Sequence, residues 1–175
     1  MNPHLLRSLL TLNRKPLPTF PRAASTGQVR TYTFEAAPAL VEVGGQQVST
    51  WAYNGVVPGP EIRLNEGDTL LVTVKNRLPQ GTTIHWHGVP LVNAMDGVPD
   101  VTQKAIPPGQ DFTYKFLAPS AGTYLYHSHA GLQLDRGLYG PLIIQSTKEA
   151  ISMTMILRLC STIGWMVFLA HQTMP

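Results

Sequence analysis

A single cysteine, Cys160, stands among 175 residues, so no internal disulfide can form and cysteine usage says nothing about the redox compartment. Charge is scarce as well, with Asp, Glu, Lys and Arg making up 13% of the chain. What basic excess exists sits in one place: Met1–Arg30 carries Arg7, Arg14, Lys15, Arg22 and Arg30 and no acidic residue. Beyond Arg30 eight basic residues face ten acidic ones, about −2, so the formal net charge of +3 is no sign of nucleic-acid binding by the body of the chain. The leader has no adjacent arginine pair, and Arg7 interrupts its Leu5–Leu6 and Leu9–Leu10 clusters, which makes a poor secretory signal. Three readings of residues 1–29 stand side by side: a signal cleaved near Ala23-Ala24-Ser25, an organelle presequence, and a disordered extension.

What the chain has in quantity is glycine and proline, 15 of each, punctuating short blocks of strand formers. Such blocks run from Arg30 to Glu35, Leu40 to Val43, Val48 to Tyr53, Thr69 to Val74, Thr82 to His87, Asp111 to Phe116, Gly122 to His127 and Gly140 to Gln145. Glu61–Leu64 reads as a short extended piece, and Gly44-Gly45 reads as a hairpin turn. Regular short strands with Gly/Pro turns predict an all-β protein, a Greek-key sandwich or barrel.

Four of the six histidines fall in two His-x-His pairs, His85-Trp86-His87 and His127-Ser128-His129. In a strand, residues i and i+2 share one face, about 6.5–7 Å apart at Cα, so each pair aims two imidazoles the same way. If the strands are neighbours, four nitrogen donors converge, and imidazole suits copper, zinc, iron and nickel, copper(II) binding most tightly of the divalent series. A closed structural zinc site would use a single tetrahedron; two pairs supply ligands for two or three ions. Trp86 alternates with the pair and is expected in the core. Tyr124 and Tyr126 are expected to pack. His4 and His171 lie in the leader and the tail and are read as incidental.

The motifs fall in a fixed order: Asn54-Gly55-Val56-Val57-Pro58-Gly59-Pro60, Glu66-Gly67-Asp68, His85-Trp86-His87-Gly88, Asp96-Gly97-Val98-Pro99 with Thr102-Gln103, Ile106-Pro107-Pro108-Gly109, and Gly122-Thr123-Tyr124-Leu125-Tyr126-His127-Ser128-His129. This series resembles the N-terminal cupredoxin (plastocyanin-like) domain of multicopper oxidases, the laccase and bacterial copper oxidase family. The resemblance implies a Greek-key cupredoxin sandwich over residues 30–146. It implies copper as cofactor and half of a trinuclear centre, in a family that oxidises a donor and reduces dioxygen to water. His85 matches the type 2 ligand, and His87, His127 and His129 match type 3 ligands. Asp96 matches an outer acid that orients water and moves protons; a turn aspartate before Gly97 is the plainer alternative. An extracytoplasmic location, periplasmic or secreted, also follows from the family.

The resemblance has limits inside this sequence. The family completes its centre with a second His-x-His pair and a His-Cys-His motif, whose cysteine holds a type 1 copper. Here Cys160 has Leu159 and Ser161 as neighbours, so no type 1 site is expected, and the chain reads as a first domain cut short. Lys104 stands where many relatives carry a cysteine. Copper ions are the expected partners, with a C-terminal cupredoxin domain in trans as a further one. A non-catalytic copper-sequestering module is the alternative function. A mononuclear electron carrier fails because Cys160, His171 and Met174 are too spread for one loop.

Residues 147–175 form a separate apolar tail. Ile151–Ala170 carries one charge, Arg158, whose central placement costs roughly 2.5–3.5 kcal/mol in a membrane span. The tail is expected to be helical, either as a marginal transmembrane or tail-anchor helix in contact with a membrane or as a helix packed or loosely docked on the domain. A segment foreign to the domain, added by truncation or a frame change, is the third reading.

Overall fold

The computed structural model describes residues 23–147, 156–161 and 164–170. Ten strands are present among the described residues: β1 (Val29–Val43), β2 (Gln46–Tyr53), β3 (Ile62–Asn65), β4 (Thr69–Asn76), β5 (His85–His87), β6 (Asp111–Leu117), β7 (Gly122–His127), β8 (Tyr139–Gln145), β9 (Ile156–Ser161) and β10 (Gly164–Ala170). The first eight form two four-stranded sheets, ordered β2-β1-β4-β6 and β3-β8-β7-β5. From β2 to β7 every connection passes from one sheet to the other, which produces the expected Greek-key sandwich.

Alternation drives the packing. In β4, Leu70, Val72, Val74 and Asn76 are buried while Thr69, Leu71, Thr73 and Lys75 are half-exposed. The period of two lays one face on the core, where Leu70, Val72 and Val74 meet Phe34, Tyr114 and Phe116 of their own sheet and Trp86, Tyr126 and Leu142 of the other. Trp86 is fully buried, edge-on to Tyr114 and Phe116 at centroid distances of 5.5 and 5.0 Å. That core sits directly beneath β5 and β7, so the two histidine-bearing strands rest on aromatic packing. Tyr126 packs on Phe34 and Tyr53 and donates its hydroxyl to Pro60 O at 2.6 Å.

Three features differ from the expected strand pattern. The blocks Arg30–Glu35 and Leu40–Val43 are one strand, because β1 changes partner midway. Its first half runs parallel to β4 up to Ala36↔Asn76, and its second half runs antiparallel to β2 from Ala36↔Tyr53. Pro38 lies beyond the β4 ladder, where the strand has a neighbour on one side only and a missing N–H is tolerated. The Thr82–His87 strand shrinks to His85–His87, since Thr82 pairs with Ile106 as an isolated bridge before β5 joins β7.

The third difference lies in the tail. Its helical expectation is corrected: Ile156–Ser161 and Gly164–Ala170 pair as antiparallel strands, with Trp165 opposite Cys160. Ile156, Trp165, Val167 and Phe168 favour extended backbone, and Gly164 weakens any helix drawn through it. No helix among the described residues is long and apolar enough to cross a membrane.

The leader's final residues belong to the folded unit. Thr26 N donates to Gly67 O at 2.9 Å, and Thr26 Oγ1 donates to the buried carboxylate of Asp68 at 2.6 Å. Asp68 also accepts from Asn65 N at 3.0 Å and Arg30 Nε at 3.2 Å. A Cβ on Gly67 would stand 2.3 Å from Ala24 O, so glycine is what lets this segment lie close. Of the leader expected over residues 1–29 as a signal, presequence or disordered extension, residues 23–29 are thus part of the fold and residues 1–22 lie outside the described residues.

Candidate metal centre

The two histidine pairs meet because β5 and β7 are hydrogen-bonded neighbours. In the antiparallel register His85 lies opposite His127, and His87 lies opposite Leu125. His129 follows two residues beyond the end of β7. Ring centroids of His85 stand 5.8 Å from His87, 5.4 Å from His127 and 5.2 Å from His129. The four predicted imidazoles therefore occupy one small volume, graded from buried to open: His127 is 7% exposed, His85 half-buried, and His87 and His129 exposed. The tightest group is a trio, His85, His87 and His127, with one donor atom from each within 4.8 Å of the others.

Hydrogen bonds on the far side of two rings fix which nitrogen faces the cluster. His85 Nδ1 lies 2.8 Å from Asp96 O, and His127 Nδ1 lies 2.9 Å from Ser128 O. A carbonyl oxygen can only accept, so each Nδ1 carries the proton and each Nε2 presents a lone pair. His127 Nε2 faces His87 Nδ1 at 3.4 Å. That distance matches the edge of a tetrahedron of metal–nitrogen bonds about 2.0–2.1 Å long, which is ~3.3–3.4 Å. The donor set thus fits a late first-row metal, and the carbonyl partners behind it are the kind that orient metal-binding imidazoles.

Electrostatics agree with a neutral, ligating His127. Burial pushes the His127 imidazole below its ordinary value, and the neighbouring His85, His87 and His129 push the same way, although the Ser128 carbonyl opposes them. A metal cation replaces the proton such a ring declines to hold.

Asp96 enters from the loop after β5. It closes a single 3-10 turn, Asn93–Met95, a short helix the strand pattern did not predict, and its own N–H bonds back to Asn93 O. Its carbonyl orients His85, and its carboxylate Oδ1 lies 3.3 Å from the same Nδ1, with the side chain 30% exposed. Gly97 makes this approach feasible: it sits at φ +76°, and a Cβ there would stand 1.7 Å from Ile84 O. The plain turn aspartate and the histidine-contacting acid are thus one residue.

Sequence reasoning passed over two buried polar residues beside the cluster. Ser128 was only the spacer of a pair, and Gln133 belongs to no motif; both are less than 5% exposed. A glutamine within an otherwise Gly/Leu-bearing segment, Gly131-Leu132-Gln133-Leu134, is the one signal the sequence offered.

The family profile described as "Multicopper oxidase" matches residues 35–149. The multicopper oxidase MmcO of Mycobacterium tuberculosis is 46% identical over 124 residues, covering 71% of this chain and 24% of that protein. Laccase-1 of Cryptococcus neoformans var. grubii is 43% identical over 125 residues, covering 70% of this chain and 20% of that protein. Among solved structures, a multi-copper oxidase from Pseudomonas thermotolerans superimposes with a TM-score of 0.68 at 42% identity, covering 72% of this chain and 31% of that one. The chain thus spans a quarter or less of the length of these two curated relatives.

Proposed function

Since this chain belongs to the multicopper oxidase family and is a copper-binding domain of that family, we propose that its four clustered imidazoles are half of the ligand set of a trinuclear copper centre. In this reading His85 serves the type 2 ion, and His87, His127 and His129 serve the type 3 pair. The observation that supports it is the convergence of the two pairs across β5 and β7, with His127 Nε2 and His87 Nδ1 at single-ion spacing. The exposed rims at His87 and His129 leave room for further ligands from outside this domain.

Copper bound there would supply one-electron redox chemistry and the reduction of dioxygen with electrons from a donor. The chain's own residues do the rest. The Asp96 carbonyl holds the proton on His85 Nδ1 and so keeps Nε2 free for metal. The Asp96 carboxylate, partly open to solvent, orients water and takes up protons for a reaction that consumes them. The fully buried Trp86, beneath the cluster, closes the inner side to water. The matching partner is a C-terminal cupredoxin domain carrying the remaining ligands, and the compartment that suits such an oxidase is extracytoplasmic.

Metal analysis and electron paramagnetic resonance on the purified chain test the ligand assignment. Copper should bind with a nitrogen-ligated signal, and His85→Ala with His127→Ala should remove it. Unchanged copper content in that double variant would refute the assignment. A sequestering module without turnover would bind the same copper and stay inert when a C-terminal partner is supplied.

A further inference from the structure

Behind the histidines lies a buried polar knot that touches no candidate ligand nitrogen. The Gln133 side chain accepts two hydroxyl donors on one oxygen: Thr82 Oγ1 and Ser128 Oγ, each 2.7 Å from Oε1. Its amide nitrogen donates to Gly81 O at 2.8 Å. Gln133 is 4% exposed, Ser128 2% and Thr82 0%, so all three are shielded from water. The two hydroxyls themselves lie 3.3 Å apart.

The placement of these partners is what matters. Gly81 and Thr82 lead into β5 and its first pair, His85 and His87. Ser128 is the middle residue of the second pair. β5 is only three residues long and ladders with β7 through three residue pairs, which is little to fix the spacing of two metal-binding segments. Gln133 adds a second tie between the same segments through its side chain. Ser128 is held further by its backbone, Ser128 N to Leu138 O at 2.9 Å, and its Oγ accepts from Ala130 N at 3.2 Å.

Resting on the ligand reading above, we propose that Gln133 is a positioning residue for the copper centre. It sets the distance between the two His-x-His pairs through Thr82 and Ser128 without contacting metal. The amide is the right group for this task. One carbonyl oxygen has two lone pairs for two hydroxyls, and the NH2 serves Gly81 O. A carboxylate would satisfy the hydroxyls but lose the donor and bury a charge, and an apolar isostere would strand both hydroxyls.

The test uses the full chain with Gln133→Met, similar in length and apolar, beside Thr82→Val, which deletes one of the two hydroxyls. Tyr32→Phe is the control, because it removes the hydrogen bonds between Tyr32 and Arg63 far from the cluster. Two readouts are taken: ring-proton nuclear Overhauser contacts between His85 and His127 in the metal-free chain, and copper affinity by competition titration. Gln133→Met should weaken or broaden the ring contacts and lower copper affinity about 10–100-fold, as loss of outer partners does at metal sites. Thr82→Val should shift both in the same direction by less, and it decides the matter if Gln133→Met does not fold. Tyr32→Phe should leave both unchanged. Ring contacts and affinity in folded Gln133→Met equal to those of Tyr32→Phe would overturn the proposal. If the unaltered chain takes up no copper, the ligand reading falls, and the metal-free ring contacts still decide whether Gln133 sets the spacing.

Discussion

Gly97→Ala tests how tightly the loop after β5 is bound to the histidines, because one methyl group would have to displace backbone. The native φ of +76° is left-handed, which costs a residue with a Cβ about 1–2 kcal/mol. The Cβ would also lie 1.7 Å from Ile84 O and 3.1 Å from His85 N, and real Cβ contacts do not fall below 3.0 Å, so the two segments must part by more than 1 Å. Forcing extra volume into a packed site adds about 1–3 kcal/mol, for a total of roughly 2–5 kcal/mol. In a domain of this size that lowers Tm by roughly 10–20 °C. The displaced atoms are the peptide ahead of His85, and Asp96 O sits next to Gly97 with its 2.8 Å bond to His85 Nδ1. Copper affinity should therefore fall about tenfold or more in the fraction that stays folded. Thermal unfolding followed by circular dichroism, with copper titration well below the new Tm, reads both effects. A variant within 2 °C of the parent, by that same scale about 0.5 kcal/mol or less, and with unchanged copper affinity, would refute the reasoning.

Asp68→Asn should cost about 1.5–3 kcal/mol at neutral pH, since the carboxylate receives a hydroxyl, a backbone N–H and a guanidinium. Burial pushes this carboxyl up, but the hydrogen bonds from Thr26, Asn65 and Arg30 outweigh it and hold it below its ordinary 3.8. Its contribution is then fully present above the unfolded value and is lost as pH falls through the lower folded one. Urea unfolding should show a parent-to-variant gap that is flat from about pH 7 to pH 5 and closes below pH 4; a gap that widens on acidification refutes the assignment. The 175-residue chain, loaded with copper and given a phenolic donor and oxygen, should show no steady oxygen consumption and no intense blue thiolate band, because Cys160 has no histidine beside it. Consumption by the chain alone that His87→Ala abolishes would overturn that expectation, and adding a C-terminal cupredoxin domain should restore turnover.

Where the sequence was informative, the physics was local. A period of two is read directly from residues such as Leu70, Val72 and Val74, and the same rule put His85 and His87 on one face of β5, whereas His129 lies beyond the end of β7. That the pairs would meet could be argued only conditionally, since strand adjacency is a long-range property; the β5–β7 ladder supplies it. The motif series supplied what periodicity could not, namely Asp96 as a partner of the cluster. Still hidden were the continuity of β1, which depends on a change of partner at Ala36, and the role of Gln133, whose three partners lie 5, 51 and 52 residues away. The helical expectation for the tail rested on apolar length, which strands and helices share when no period discriminates them.

The burial gradient across the four rings follows from the same geometry and bears on how the centre is completed. His127 and His85 are held from behind by carbonyls, on strands whose other face packs Trp86 and Tyr126 into the core, so their lone pairs are oriented before any metal arrives. His87 and His129 stand at the exposed side of the cluster. If the cluster is the half-site proposed above, its buried side sets the position of a metal and its coordination number is left to ligands brought to the open side. Affinity then depends on the rigidity of the inner pair, and reactivity depends on the ligands brought to the outer pair. Substitutions behind His85 and His127 should therefore act on copper retention in this domain alone, whereas loss of His129 should be felt chiefly once a second ligand set has closed the rim.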